Sequence, residues 1–375
     1  MSDESAPHPT AGAFAIDDPR DVIAALAASG RRVIGPQERG GVIALAPYAD
    51  ADALPRGRID AQAPGRYRLQ DGEPTRWFDY VVGPQGWKPW LYPARRRLWS
   101  AAHTADGIAV TEEAADAPPT ALFAVRPCEL AAIDRLDAVF RDGPFPDPDY
   151  VARRAAALIV VVQCARAAET CFCASMPTGP RATSGFDLAL TELGPEADHR
   201  FLLEAGSAAG GALARDMGAP PATPADVGAA RRATEEAAAM QTRRMADGVA
   251  EGLKARPEHP HWQAVADRCL ACANCTLACP TCFCSDVEDT SDLTGAEAER
   301  WRVWDSCFGT DFTRLAAGPV RTSTRARYRQ WLTHKLSTWH DQFGMSGCVG
   351  CGRCVTWCPV GIDLTAEAAA LMEEA

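Results

Sequence analysis

Short apolar runs dominate the first half of the chain, and longer helical periodicities follow. Thr120–Val125 and Ala157–Gln163 are unbroken runs rich in Val, Ile, Leu and Phe, the pattern of strands buried on both faces of a parallel sheet. Between them Leu130, Ile133, Leu136 and Phe140 recur at helical spacing. Glu129 to Phe140 therefore reads as a helix, and the three segments as a βαβ unit. Upstream, Asp18-Pro19 reads as the cap and first turn of a helix through Ala28, with Gly30 as its stop. Short strands follow at Arg32–Ile34 and Val42–Ala46, and a meander is expected at Phe186–Leu193 and Arg200–Ala205. Thr223-Pro224 opens a long amphipathic helix to about Lys254, and Pro257 with Pro260 marks a domain junction. From Thr324 to Phe343, Tyr328, Trp331, Leu332, Lys335, Leu336, Trp339 and Phe343 lie on or near one helical stripe, which core packing explains. The pattern predicts an α+β protein: a disordered tail at 1–15, a mixed α/β domain with a βαβ unit at 16–256, and a helical domain at 257–375.

Composition adds little to that picture and charge adds one exclusion. Among 375 residues, 47% are hydrophobic and 23% charged, ordinary for a globular chain with a real core. The net charge of −11 argues against non-specific nucleic-acid binding. Only Arg95–Arg97 and Arg321–Arg329 are locally basic. The aromatic and basic stretch Arg76 to Trp99 reads as packed aromatics beside a solvated face, or else as a docking surface for a partner subunit. No apolar run reaches membrane-spanning length, and Met1 to Ala13 lacks the order of a signal peptide, so a cytoplasmic protein is expected.

Cysteine changes the picture most. There are fifteen, none before Cys128, in a chain expected to stay in a reducing compartment, so metal ligation is a better reading than disulfides. The runs Cys269-x2-Cys272-x2-Cys275-x3-Cys279-Pro280 and Cys348-x2-Cys351-x2-Cys354-x3-Cys358-Pro359 both carry the bacterial ferredoxin spacing. In that spacing three thiolates take one cubane and the fourth serves its companion. One [4Fe–4S] cluster is thus expected on Cys269, Cys272, Cys275 and Cys358, and a second on Cys348, Cys351, Cys354 and Cys279. Paired zinc knuckles would account for neither the third step of each run nor the trailing Cys-Pro. The sixty-eight residues between Cys279 and Cys348 argue for helices bracing the two loops. Gly347, Gly350 and Gly352 would let the backbone come close to a cluster and leave amides for its sulfurs.

A third set sits in the middle of the chain. Cys128 follows the first middle strand and Cys164 the second, so in a parallel sheet both emerge at the carboxyl edge, where ligands of α/β sheets bind. Cys171 and Cys173 lie on the next loop. Three readings stand: a third [4Fe–4S] cluster, an all-cysteine zinc site, or unligated buried thiols. Cys282, Cys284 and Cys307 read as structural residues or as neighbours of the cluster ligands, with further metal binding as the rival; Cys282 and Cys284 also stand close enough to Cys279 to replace it. His259, His261, His334 and His340 fall outside ligand spacings.

Several uncommon motifs occur in order. Arg126-Pro127-Cys128-Glu129, Cys171-Phe172-Cys173-Ala174-Ser175-Met176, Gly185 to Thr191, Cys279-Pro280-Thr281-Cys282-Phe283-Cys284 and Trp304-Asp305-Ser306-Cys307 resemble the iron–sulfur beta subunit of cytoplasmic sulfhydrogenases. Those are NAD(P)-linked nickel–iron hydrogenases, and the A subunit of anaerobic sulfite reductase looks related. The resemblance runs from about residue 75 to the C-terminus; Met176–Pro180 and Ala316–Arg321 depart from the family pattern. It implies an electron-transfer subunit between a subunit that binds FAD and NAD(P)H, with a [2Fe–2S] centre, and the small and large hydrogenase subunits, or a sulfite reductase subunit. It adds weight to a third cluster. The residues themselves call for no acid, base or nucleophile, so catalysis is expected to belong to the complex. An iron–sulfur redox sensor and a stand-alone enzyme with a site-differentiated cluster are the rival readings; the acidic balance counts against the sensor.

Overall fold

The computed structural model describes residues 12–194 and 199–373. Residues 1–11 of the expected tail lie outside the described residues. The tail's upper limit is corrected, because Ala13–Ile16 is an edge strand, held antiparallel to Phe201–Ala205 with Ala13 opposite Glu204. Its partner lies far along the chain, where a local pattern cannot show it.

The central sheet has seven strands, in the order Ala13–Ile16, Phe201–Ala205, Leu188–Glu192, Ala157–Val162, Thr120–Val125, Arg32–Arg39, Val42–Pro47. Its inner four run parallel and its flanks antiparallel. Every residue of Thr120–Val125 is buried, as an unbroken apolar run requires. Ala121 and Phe123 pack on one face against Val22, Ile23 and Leu26 of the helix Arg20–Ala28. Leu122 and Val125 pack on the other, against Leu130, Ile133 and Leu136 of the helix Pro127–Phe140. That helix starts on Pro127, and Glu129 Oε2 accepts from the Arg126 amide at 3.1 Å, closing its first turn.

Two expected helices are interrupted. The one expected from Thr223 to Lys254 splits into Pro224–Ala239 and Val249–Ala255. Between them the chain leaves helical geometry, and Gly248 restarts it at φ +69°. The helix at Thr324–Thr333 continues through a wide π-turn at His334–Thr338 into Trp339–Phe343. The insert between the ferredoxin runs is therefore part helical. Its other part is a hairpin, Ser285–Ser291 with Glu297–Trp304, which pairs with Arg95–Thr104 and Gly107–Glu112 in a four-stranded sheet. Ser285–Ser291 is exposed along its whole length, so no apolar alternation announced it.

This second sheet joins chain on both sides of the Pro257–Pro260 junction, and it occupies the basic stretch. Arg97 pairs with Glu113 at 2.9 Å and Glu299 at 2.7 Å, and Arg95 lies 4.0 Å over the Trp301 ring. Trp77 and Trp87 are buried. The C-terminal core gathers Trp262, Trp331, Leu332 and Leu364, and takes in Phe172 and Met245 from the first part of the chain. No helix among the described residues is long and apolar enough to cross a membrane.

Candidate metal centres

The two ferredoxin runs adopt one loop shape. In the first, Ala271 and Ala273 take φ of +51° and +66°; in the second, the equivalent Gly350 and Gly352 take +65° and +75°. Short helices, Asn274–Leu277 and Arg353–Thr356, follow each loop. Left-handed residues turn amides inward. Ala271 N donates to Cys269 Sγ and Gly350 N to Cys348 Sγ, both at 3.4 Å, and Ile362 N to Cys358 Sγ at 3.4 Å. Amides aimed at thiol sulfurs suit iron–sulfur sites.

Cys269, Cys272, Cys275 and Cys358 line one cleft, walled by Phe308, Tyr328 and Ile362, with Cys354 at its back. Burial pushes the Cys275 thiol up, and the neighbouring Cys269, Cys358 and Cys272 add to it. Cys279 stands beside the other run instead. It raises the thiols of Cys348, Cys351 and Cys354, for each of which burial is the larger cause, and Cys348 reaches about 12. Crowded buried thiols resist ionising together, and a cationic iron core removes that conflict. The donor sets thus fit [4Fe–4S] clusters.

Sequence reasoning passed over Lys335, which it placed on an aromatic stripe. The π-turn carries this side chain inward, where Nζ donates to Cys279 Sγ at 3.2 Å, Thr281 Oγ1 at 2.9 Å and Gly347 O at 3.3 Å. Burial pulls the ammonium down, but the thiols of Cys279, Cys282 and Cys348 outweigh it and hold it well above its usual range.

Cys128, Cys164, Cys171 and Cys173 also meet in one cleft, at the carboxyl edge of the parallel strands. Cys351 of the second run lines the same cleft, with Arg126, Arg353 and Gln241. Burial pushes Cys128 and Cys171 far up and Cys173 to about 12; Cys351 contributes to all three. Arg126 is buried, donates to Phe78 O at 3.0 Å and Tyr80 O at 2.7 Å, and faces the Cys164 thiol. Gln241 Nε2 donates to Cys173 Sγ at 3.3 Å, and its Oε1 accepts from Ala174 N at 3.0 Å. The interrupted helix delivers that glutamine. Arg126 and Arg353 adjoin motif cysteines and could have been suspected from the sequence; nothing local marks Gln241.

The glycines of the second loop have a role beyond cluster approach. A Cβ on Gly350 would stand 2.6 Å from Cys173 Cα, and one on Gly352 2.4 Å from Thr170 O. The Phe172 amide donates to Gly350 O at 2.9 Å. The loop bearing Cys171 and Cys173 thus packs directly on the second ferredoxin loop. Cys282, Cys284 and Cys307 line a different cleft with His334 and Lys335. The hydrogen bond from Cys307 is the main cause that brings the Cys284 thiol down to about 7. Among the described residues, no three Cys, His, Asp or Glu side chains close on one point as ligands of a single ion do. A cubane, with each thiolate on a different corner, takes a wider set.

Residues 268–362 match the 4Fe-4S dicluster domain family. The chain is 35% identical over 247 residues to sulfhydrogenase 2 subunit beta of Pyrococcus furiosus, covering 64% of this chain and 71% of that protein. The chain belongs to the sulfhydrogenase beta-subunit family. The dicluster domain makes this family member an iron–sulfur protein with two [4Fe–4S] clusters. No solved structure matches the chain.

Proposed function

We propose that this sulfhydrogenase beta-type chain is the electron-transfer subunit linking a flavin subunit that uses NAD(P)H to the small and large subunits of a nickel–iron hydrogenase. Its clusters are held by Cys269, Cys272, Cys275 and Cys358, and by Cys348, Cys351, Cys354 and Cys279. A third [4Fe–4S] cluster is held by Cys128, Cys164, Cys171 and Cys173. Bound clusters supply one-electron redox chemistry. The chain's own residues bind them, bury them and set the charge around them.

The observation that carries this reading is the adjacency of the thiol sets. Cys351 lines the cleft of the middle cysteines, and Cys275 is near enough to Cys354 to raise its thiol. This supports one order, with the middle site first, the Cys348 set next and the Cys269 set last. Arg353 supports it too: it sits between Cys351 and Cys354 in sequence and forms a buried ion pair with Glu129, next to Cys128.

The test is metal analysis of anaerobically purified protein beside its Cys171→Ser/Cys173→Ser variant. The variant should hold about four fewer irons and sulfides while keeping the ferredoxin signals in electron paramagnetic resonance. Loss of one zinc instead would overturn the third cluster, and iron-free wild-type protein would overturn the relay. Adding the flavin subunit and NADPH should reduce the clusters; no reduction would overturn the partner assignment.

A further inference from the structure

Three cysteines remain outside those sets, and they share one place. Cys282 and Cys284 leave the first ferredoxin run together, and the Asp305 amide donates to Cys284 O at 2.9 Å, drawing the Trp304–Cys307 segment against them. All three thiols line one cleft. The Cys284 and Cys307 thiols are hydrogen-bond partners, and Cys282 lies near enough to Cys284 to be raised by it.

Two buried ammonium groups flank them. Lys335 acts on all three thiols. Lys88 is 5% exposed; its Nζ donates to Cys282 O at 3.0 Å and stands 4.0 Å above the Trp304 ring. One carbonyl and one ring are meagre compensation for a buried cation with three donors, and burial pulls the Lys88 ammonium down against the nearby Cys282, Cys279 and Cys284 thiols, so a charged Lys88 calls for an anion beside it. Thiolates supply one, and a metal bound to them keeps them ionised.

We propose that Cys282, Cys284 and Cys307 hold a further iron–sulfur cluster whose remaining corner faces the cleft and not a protein thiolate. The inference builds on the relay reading, because the site lies against both ferredoxin sets: Cys282 contacts Cys279, and Cys307 lies near Cys275. All-sulfur donors favour iron–sulfur or zinc over harder metals.

The experiment compares wild-type protein, purified anaerobically, with the Cys284→Ser/Cys307→Ser variant, which leaves Cys279 and its contacts in place. Iron, sulfide and zinc are counted, and alkylation of Cys284 and Cys307 is followed by mass spectrometry before and after iron chelation. The wild type should hold about three to four more irons, and both cysteines should resist alkylation until iron is removed. Equal iron in the two proteins, alkylation before chelation, a Cys284–Cys307 disulfide, or zinc lost in place of iron would each overturn the proposal. If the variant fails to fold, wild-type protection alone decides. Iron-free wild-type protein would instead reject the relay, and unchanged iron in the Cys171→Ser/Cys173→Ser variant would reject only the middle site.

Discussion

Lys335 brings a positive charge up against the Cys279 sulfur, and its effect belongs to the residue scale. An ammonium donating to a cysteine sulfur favours the more negative, reduced state of any cluster that sulfur holds. Lys335→Met should therefore lower the midpoint potential of the cluster on Cys279, by the order of 1 kcal/mol per electron. A redox titration followed by electron paramagnetic resonance checks the sign, and Lys335→Arg should restore most of it. Gly350 makes the second case at this scale. Gly350→Ala should cost about 1–2 kcal/mol for a left-handed alanine, and more for the backbone of Cys173 in its way. Ala271→Gly, at the equivalent place, should change stability by less than about 1 kcal/mol. Anaerobic thermal melts would separate the two. The spacing of the eight ferredoxin cysteines was legible in the sequence, because ligand geometry is local to each loop. Why one loop uses glycine and its twin alanine was not, because the answer lies in what packs outside.

At the scale of elements, the break between Pro224–Ala239 and Val249–Ala255 matters more than the helices beside it. Amphipathic periodicity carries on across such a break, so the pattern read as one helix. The intervening chain instead follows the loop of the middle cysteines, with Gln241 bonded to Cys173 and Ala174, and Met245 N to Ser175 Oγ at 3.0 Å. Gln241→Ala should leave the fold intact, with the melting temperature shifted by only a few degrees. It should nevertheless speed chelator-driven iron release from that site. Equal release rates in the variant and the wild type would mean the glutamine does not secure the loop. The hairpin Ser285–Trp304 is a similar case. Its exposed strand Ser285–Ser291 has no apolar face to read; it pairs with Glu297–Trp304, which in turn adds to the edge of Arg95–Thr104.

Over the whole molecule, the two halves are joined through charge as well as through sheet and core. Arg353, from the second ferredoxin loop, meets Glu129, at the start of the βαβ helix, with both side chains buried. Trp87 Nε1 also donates to Glu129, at 3.2 Å. Breaking such a pair from one side strands a buried charge, so Arg353→Met should destabilise the protein by about 3–5 kcal/mol. Adding Glu129→Gln should recover part of that loss. Denaturant unfolding of the single and double variants measures the coupling directly; simple additivity would show that the pair does not join the halves.

What the sequence determined by itself is the chemistry of each short segment: two ferredoxin runs, a βαβ unit with cysteines after both strands, and an acidic chain without a membrane-length apolar run. Those follow from ligand spacing, side-chain periodicity and composition, all readable over a few residues. The tertiary structure alone decided which thiols neighbour one another across the chain. It turned Lys335, Arg126 and Gln241 toward sulfur, set Lys88 on the Cys282 carbonyl, drew Cys351 to the edge of the middle site, and set Cys307 beside Cys284. Such contacts join residues distant in sequence, and their cause is the burial of charges and apolar surfaces that close only when the whole chain has folded.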